Sequence, residues 1–289
     1  MGFVKAVGAD SSASSGDESL RELLQARYRQ EQAPGEIRAN AVLETILSHR
    51  TVRAYLQRQL AVGALETIVA AAQSAPSSSN LQAWSVVAVE DRARRERLSV
   101  FAGAQSHIVE APLFLVWLAD LSRLRVIADA EGRTANGLDY LESFLVAVVD
   151  AALAAQNAVV AAESLGLGSC YIGAIRNRPE EVAAELDLPP ETIAVFGLTL
   201  GYPDPERPAD VKPRLSQPVV LHRERYDRAQ PAEEALDRYN RALRDFQAEQ
   251  KLAPADWTDQ ASARIATTEA LKGRHLLNET LRTLGFALK

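Results

Sequence analysis

The chain has 289 residues, 47% of them apolar and 24% charged, with a formal net charge of −6. That length and composition support a sizeable buried core, and the acidic balance argues against a nucleic-acid partner, which calls for a broad basic excess. One cysteine, Cys170, excludes an intramolecular disulfide and a zinc site assembled from thiolates, and four scattered histidines give no reason to expect a metal.

In chain order, residues 1 to about 18 are small, polar and acidic and are expected to be disordered. They carry no apolar run of signal-peptide length, and "MGFVKA" lacks the hydroxyl of an acylation signal. "LRELLQARYRQEQ" is helical in composition and ends at Pro34-Gly35. "IRANAVLETILSH" reads as a helix, and so does "GALETIVAAAQSA", which stops at Pro76. "WSVVAVE" reads as a strand, "DRARRERLSVFAG" as a helix, and "PLFLVWLAD" as a buried strand.

Phe144 to Gly166 is apolar on nearly every face, which places this helix at the centre of a fold or in a subunit interface. Asp150, Gln156, Asn157 and Glu163 are distributed around it, so it is not read as a membrane span. "SCYIGAI" is expected as a strand, "RPEEVAAELDL" as a helix with proline in its first turn, and "TIAVFGLTLGYP" as a strand. A loop around "KPRL", a charged helix from about Ala232 to Lys251 and a last helical segment from "DWTD" complete the chain. A cytoplasmic protein without membrane attachment is expected.

Two basic clusters, His49-Arg50-Thr51-Val52-Arg53 and Lys212-Pro213-Arg214, hold residue types suited to a phosphate monoester, because guanidinium forks match its oxygens. Taken alone, each reads first as a charged surface loop, since short basic clusters are weak signals, and nothing in the sequence shows that they meet. "APSSSNLQAW" offers hydroxyls and amides to a polar ligand, or is a helix stop. "GLGSCYIGAIR" puts glycines beside a short strand, where backbone can approach a flat ring closely. No dinucleotide fingerprint, Walker loop or nucleophile elbow occurs. Cys170 reads as a buried inert thiol, and Asp150 as an interhelical hydrogen-bond partner.

Together and in this order, "SHRTVRAY", "APSSSNLQAWSVV", "AGAQSHIVEAPLFLVWLAD", "VVDAALAAQNAVVAAESLGLGSCYIGAIRN", "VFGLTLGYP" and "KPRL" resemble the FMN-dependent nitroreductase superfamily. The likeness is strongest to its NADPH flavin reductase and oxygen-insensitive nitroreductase branch. The resemblance implies an α+β fold, with a mixed sheet surrounded by helices. It implies an intertwined homodimer with a long buried central helix, which a partner subunit covers. Residues 1–38 then form an N-terminal extension, and 39–289 one domain with a C-terminal helical extension.

Carried over residue by residue, His49, Arg50, Thr51, Arg53, Lys212 and Arg214 hold the FMN phosphate and ribityl chain. Ser77 and Gln105 bond the ring or ribityl groups, and Tyr171, Ile172 and Gly173 run their backbone beside the ring. Arg176 falls at the substrate and nicotinamide pocket. No side chain is expected to act as acid or base, since the flavin carries the chemistry. NADPH or NADH is the implied electron donor, and the acceptor is a small molecule: a nitroaromatic, quinone, azo compound or free flavin. A flavoenzyme specialised for reductive dehalogenation or desaturation, and a non-catalytic flavin-binding protein, stay open as alternatives. Position 174 is Ala where many relatives carry glycine. "AEQKLAPADWTD" replaces an Asn- and Arg-rich loop, which leaves the choice of NADPH or NADH open.

Overall fold

A computed structural model describes residues 15–29, 38–228 and 233–289. It resolves into two compact units: residues up to His49 with Val211–Trp257, and Arg50–Asp210 with Thr258–Lys289. In chain order the helices are α1 (Ser15–Tyr28), α2 (Ala41–Leu47), α3 (Ala64–Gln73), α4 (Arg92–Phe101), α5 (Ser106–Glu110) and α6 (Ser122–Ala130). They continue with α7 (Leu141–Ser164), α8 (Pro179–Glu185), α9 (Gln217–Val220), α10 (Glu233–Glu249), α11 (Trp257–Ile265) and α12 (Leu277–Thr283). The strands are β1 (Trp84–Val89), β2 (Leu113–Asp120), β3 (Gly168–Ile172) and β4 (Thr192–Gly201).

In the second unit the four strands form one sheet in the order β1-β2-β4-β3, every neighbouring pair antiparallel. The mixed character expected of the sheet is confined to an isolated parallel bridge, Thr51 to Ser169, at its β3 edge. Strand β2 is buried at every residue, as its unbroken apolar sequence demands, and its alternate side chains serve two cores. Leu113, Leu115 and Trp117 pack with Ile68 and Ala72 of α3 and with the alanines of α7. Phe114, Val116 and Leu118 pack with Leu98 of α4 and with Val182 and Leu186 beside α8. Each fully buried large apolar side chain contributes about 1.5–3 kcal/mol, so this one strand anchors the unit from both faces. A Cβ at Gly197 would overlap the Phe114 ring, so the ring lies directly on the β4 backbone.

Ala147, Ala151, Ala154, Ala155, Ala158 and Ala162 form the buried stripe of α7, and their small side chains let the helix lie close to the sheet. Its other side is exposed and apolar: Leu141, Leu145, Val149 and Leu153 are 40–54% accessible. Within one chain α7 is therefore buried along one face only. It is a described helix long and apolar enough to cross a membrane, yet its inner face is packed in the core.

In the first unit, α10 presents Ala235, Tyr239, Leu243 and Phe246 as its buried stripe, and α1 buries Leu20 and Leu24. The polar start expected to be disordered falls partly on residues 1–14, outside the described residues. Residues 15–18 instead open α1, where Asp17 and Glu18 suit the positive end of the helix. Helix α2 is shorter than its sequence suggested because Asn40 caps it, Oδ1 accepting from the amides of Val42 (3.1 Å) and Leu43 (3.0 Å). The strand expected through Ile175 stops at Ile172 and turns into a 3-10 segment, Gly173–Asn177. Helices α5 and α6 had no counterpart in the sequence reading.

Candidate functional site

In the first unit a single buried guanidinium organises the two basic segments. Arg27 of α1, 8% exposed, donates from Nη2 to the carbonyls of Leu47 (3.0 Å) and His49 (2.9 Å), and from Nη1 to that of Lys212 (2.8 Å). Its own carbonyl accepts from the Arg214 amide at 2.8 Å. The end of α2 and residues 212–214 are thus tied to one side chain. His49 is half-buried, while Lys212 and Arg214 are exposed. Sequence reasoning missed Arg27, because an arginine within a charged helix carries no motif.

In the second unit, Arg50 is exposed and Thr51 half-buried. The segment they open runs along the β3 edge, with the Val52 amide bonded to the Ser169 carbonyl at 2.8 Å. Val52 and Tyr55 turn inward, and the Tyr55 hydroxyl, 2.7 Å from both the Val52 carbonyl and the Thr199 hydroxyl, pins the segment. Arg53 stays exposed and its charge acts on a small buried cluster. The Cys170 thiol lies 3.9 Å from His107 Nε2. Burial pushes that thiol up, opposed by Arg53, which matches an inert cysteine. Burial also pushes the His107 imidazole down, Arg53 adding to the effect and Glu110 opposing it.

The Ser loop is strained and anchored. Ser79, Asn80 and Gln82 have φ of 49°, 54° and 50°, a left-handed conformation costing roughly 1–2 kcal/mol for a non-glycine residue, less for Asn. Asp150 on α7, 1% exposed, offsets that cost. Its carboxylate accepts from the Ser77 hydroxyl (2.6 Å), the Ser78 amide (3.2 Å) and the Ala83 amide (3.1 Å), and bonds to a charged group are worth about 1.5–3 kcal/mol each. Asp150 thus serves a loop rather than another helix. The Ser77 hydroxyl spends its proton on Asp150 and also accepts from the Gln82 amide at 2.7 Å. A concavity of about 420 Å³ lies between this loop and the exposed side of α7, lined by Ser77, Leu145, Val149 and Leu153 among others.

Gln105 precedes α5; its Nε2 donates to the Ala102 carbonyl at 2.8 Å, and its own carbonyl accepts from the Ser99 hydroxyl at 2.9 Å. On β3, Ile172 is buried, whereas Tyr171 is 39% exposed and meets Phe196 edge-on at 5.2 Å. Gly173 differs from the packed glycines. A Cβ at Gly168 or Gly201 would collide with the protein's own side chains; at Gly173 it would sit 3.5 Å from Arg176, an ordinary contact. The chain's own packing does not demand glycine at 173, so its bare backbone suits a flat ligand. The Arg176 guanidinium lies beside Gly173, its Nη1 donating to the Val195 carbonyl.

The model of the nitroreductase family matches residues 46–202, and that of the family's C-terminal domain matches residues 212–289. The FMN reductase (NADPH) of Bacillus subtilis strain 168 is 36% identical over 251 residues, 86% of this chain and 98% of that protein. The oxygen-insensitive NADPH nitroreductase of Salmonella typhimurium strain LT2 is 41% identical over 206 residues, 71% of this chain and 81% of that protein. Among solved structures, Bacillus megaterium NfrA2 superposes with a TM-score of 0.80 at 35% identity, covering 86% of this chain and 99% of its own. The NADPH:FMN oxidoreductase of Vibrio harveyi in complex with NAD+ does so with a TM-score of 0.76 at 32% identity, covering 86% and 100%.

Proposed function

The chain belongs to the nitroreductase family, and from that premise we propose that it is a cytoplasmic FMN-dependent NAD(P)H oxidoreductase reducing nitroaromatics, quinones, azo compounds or free flavin. The observation that carries the reading is the Arg27 frame, which holds the backbones of His49 and Lys212 on one guanidinium. Those are the segments whose cations suit a flavin phosphate. Bound FMN would accept a hydride from NAD(P)H and then pass electrons to the second substrate, in ping-pong order.

The chain's own residues bind and orient. In the first unit, His49, Lys212 and Arg214 offer donors suited to a phosphate; in the second, Arg50, Thr51 and Arg53 are donors of the kind a ribityl chain or phosphate accepts. The Tyr171–Gly173 edge offers backbone to the ring, and Asp150 fixes the Ser loop and Gln82 against α7. Gln105 keeps one Nε2 hydrogen beyond its bond to Ala102. A second copy of the chain covers Leu141, Leu145, Val149 and Leu153, whose exposure in one chain supports a homodimer.

Purified protein tests this directly. It should carry flavin absorbance, bleach anaerobically with NADPH or NADH, and regain colour with nitrofurazone or menadione. A colourless protein that gains no absorbance with added FMN would overturn the reading, and comparison of the two nicotinamides sets the donor.

A further inference from the structure

We propose a second small-molecule site, on the outer edge of the sheet in the second unit, that takes a neutral, flat aromatic compound bearing a carbonyl oxygen. A cavity of about 570 Å³ opens along β1, the strand at one end of the sheet. Val69 of α3, Trp84 and Val86 of β1, and Ile127 of α6 give it apolar walls. None of the residues assigned to the flavin lines it, and it shares no residue with the concavity beside α7.

The Trp84 ring fixes the shape of the ligand. It is half-buried and packs on the fully buried Trp117 ring at 5.4 Å with a tilt of 35°. An indole held this way is a preformed face for another flat ring. Leu81 and Ile127, 41% and 52% exposed, line the same space and lose water contact when it is filled. The volume lies within the roughly 300–1,000 Å³ of small-molecule pockets, enough for a fused aromatic ring system.

Arg123 fixes its charge. Nη2 donates to the carbonyls of Gln82 (2.8 Å) and Trp84 (2.6 Å), which leaves the hydrogens of Nε and Nη1 for a ligand. Nη2 also lies 3.8 Å from Asp120, a buried carboxylate that accepts from the Ser85 hydroxyl at 2.5 Å. The guanidinium is thus already balanced, and an anion would meet the charge of Asp120. A neutral carbonyl oxygen takes the spare hydrogens without that cost. The same arginine crosses the free edge of β1 at the Trp84 carbonyl, which blocks an extended peptide from adding to the sheet there.

One wall of the cavity is the strained segment Asn80–Gln82, with φ of 54° and 50° at its two ends. Asp150 grips the Ser loop on either side of it, at Ser77, Ser78 and Ala83. A ligand seated on Leu81 packs against the residues that Asp150 does not hold, so occupancy steadies the loop that carries Ser77. The site is therefore an effector site acting on the Ser loop.

The test is calorimetric titration of the full-length, FMN-loaded protein with 2-naphthamide, and with 2-naphthoate as its anionic counterpart. Saturable binding of the amide is expected, weakened at least about tenfold in Ile127→Glu, which sets a charge against the aromatic face, and retained in Ile127→Val. Hydrogen exchange at the Gln82 amide should slow when the amide ligand is bound. Absence of saturation, or equal affinity in the parent and Ile127→Glu, overturns the proposal. Tighter binding of the naphthoate overturns the neutral class, and unchanged exchange at Gln82 overturns the action on the loop. Binding that appears only after FMN is stripped would give the ligand to the flavin's own site and overturns the second one. Flavin absorbance, read on the same samples, keeps the outcome separate from the family reading.

Discussion

Arg176 donates to the carbonyl of Val195, the residue that bulges out of β4. Trp117 pairs with Phe196 and Leu118 with Ala194, so Val195 has no partner across the ladder and its carbonyl needs an outside donor. The arginine that resembles a substrate-pocket residue therefore also holds the sheet. Arg176→Ala should lower unfolding stability by about 1–3 kcal/mol, the cost of an unsatisfied buried acceptor, with partial recovery in Arg176→Lys. Urea denaturation of the three proteins checks this; an unchanged midpoint in the alanine variant would remove the bond from the account.

Arg27 predicts a flavin effect from a residue that the family motifs omit. Arg27→Ala frees the carbonyls of His49 and Lys212 together, and each lost charge-assisted bond is worth about 1.5–3 kcal/mol. FMN affinity should fall about tenfold or more, comparable to Arg214→Ala, measured by flavin fluorescence on reconstitution. Retention equal to the parent's would show that the frame has no part in flavin binding.

Asp150→Asn should loosen the Ser loop. An amide leaves one oxygen to accept from three donors and sets its own NH2 against the others, so a loss of about 2–3 kcal/mol is expected. Hydrogen exchange at Ser78 and Ala83 should rise in the variant while exchange in β2 stays slow. Equal exchange at those amides in both proteins would contradict the anchoring role.

The legible part of this molecule was its periodic part. All four strands and α7 followed from apolar runs, because burial on two faces writes itself into consecutive residues such as Leu113–Leu118. The residues that organise the site did not show. Arg27 and Asp150 act through backbone carbonyls and amides distant in sequence, and such partners leave no mark on composition or spacing. The 3-10 turn at 173–177 was hidden for a different reason: the apolar pattern of "SCYIGAI" resumes at Ile175, which masks the break at Gly173 and Ala174, two residue types that strands disfavour. The motif likeness supplied the function that residue-level reasoning left open between a surface turn and an anion clamp.

His107 predicts a pH effect whose sign follows from its environment. Burial and the Arg53 charge hold its folded pKa below the ordinary value, against Glu110, with the Cys170 thiol beside it. The unfolded chain then binds the proton more readily, so stability is complete above about pH 6.5 and falls as pH drops below it, levelling out beneath the folded pKa. His107→Gln should lose less stability than the parent between pH 7.5 and 5.5 in urea titrations; identical losses would exclude His107 as the source.

The exposed stripe on α7 predicts assembly. Leu145→Glu with Val149→Glu places two charges on the face assigned to a second copy, where desolvating them is costly. Sedimentation should change from dimer to monomer, with the far-ultraviolet spectrum retained. A parent that sediments as a monomer, or a variant that stays dimeric, would refute the assignment.

Positions 114 and 197 share one volume, because the Phe114 ring occupies the space that a side chain at 197 would need. The order of mutation therefore matters. Phe114→Leu followed by Gly197→Ala passes through a cavity, which costs stability but leaves a folded chain. The reverse order passes through an overlap between the new Cβ and the Phe114 ring. The two sites form a one-way gate on sequence change, and natural variation at 197 should occur only on backgrounds already reduced at 114.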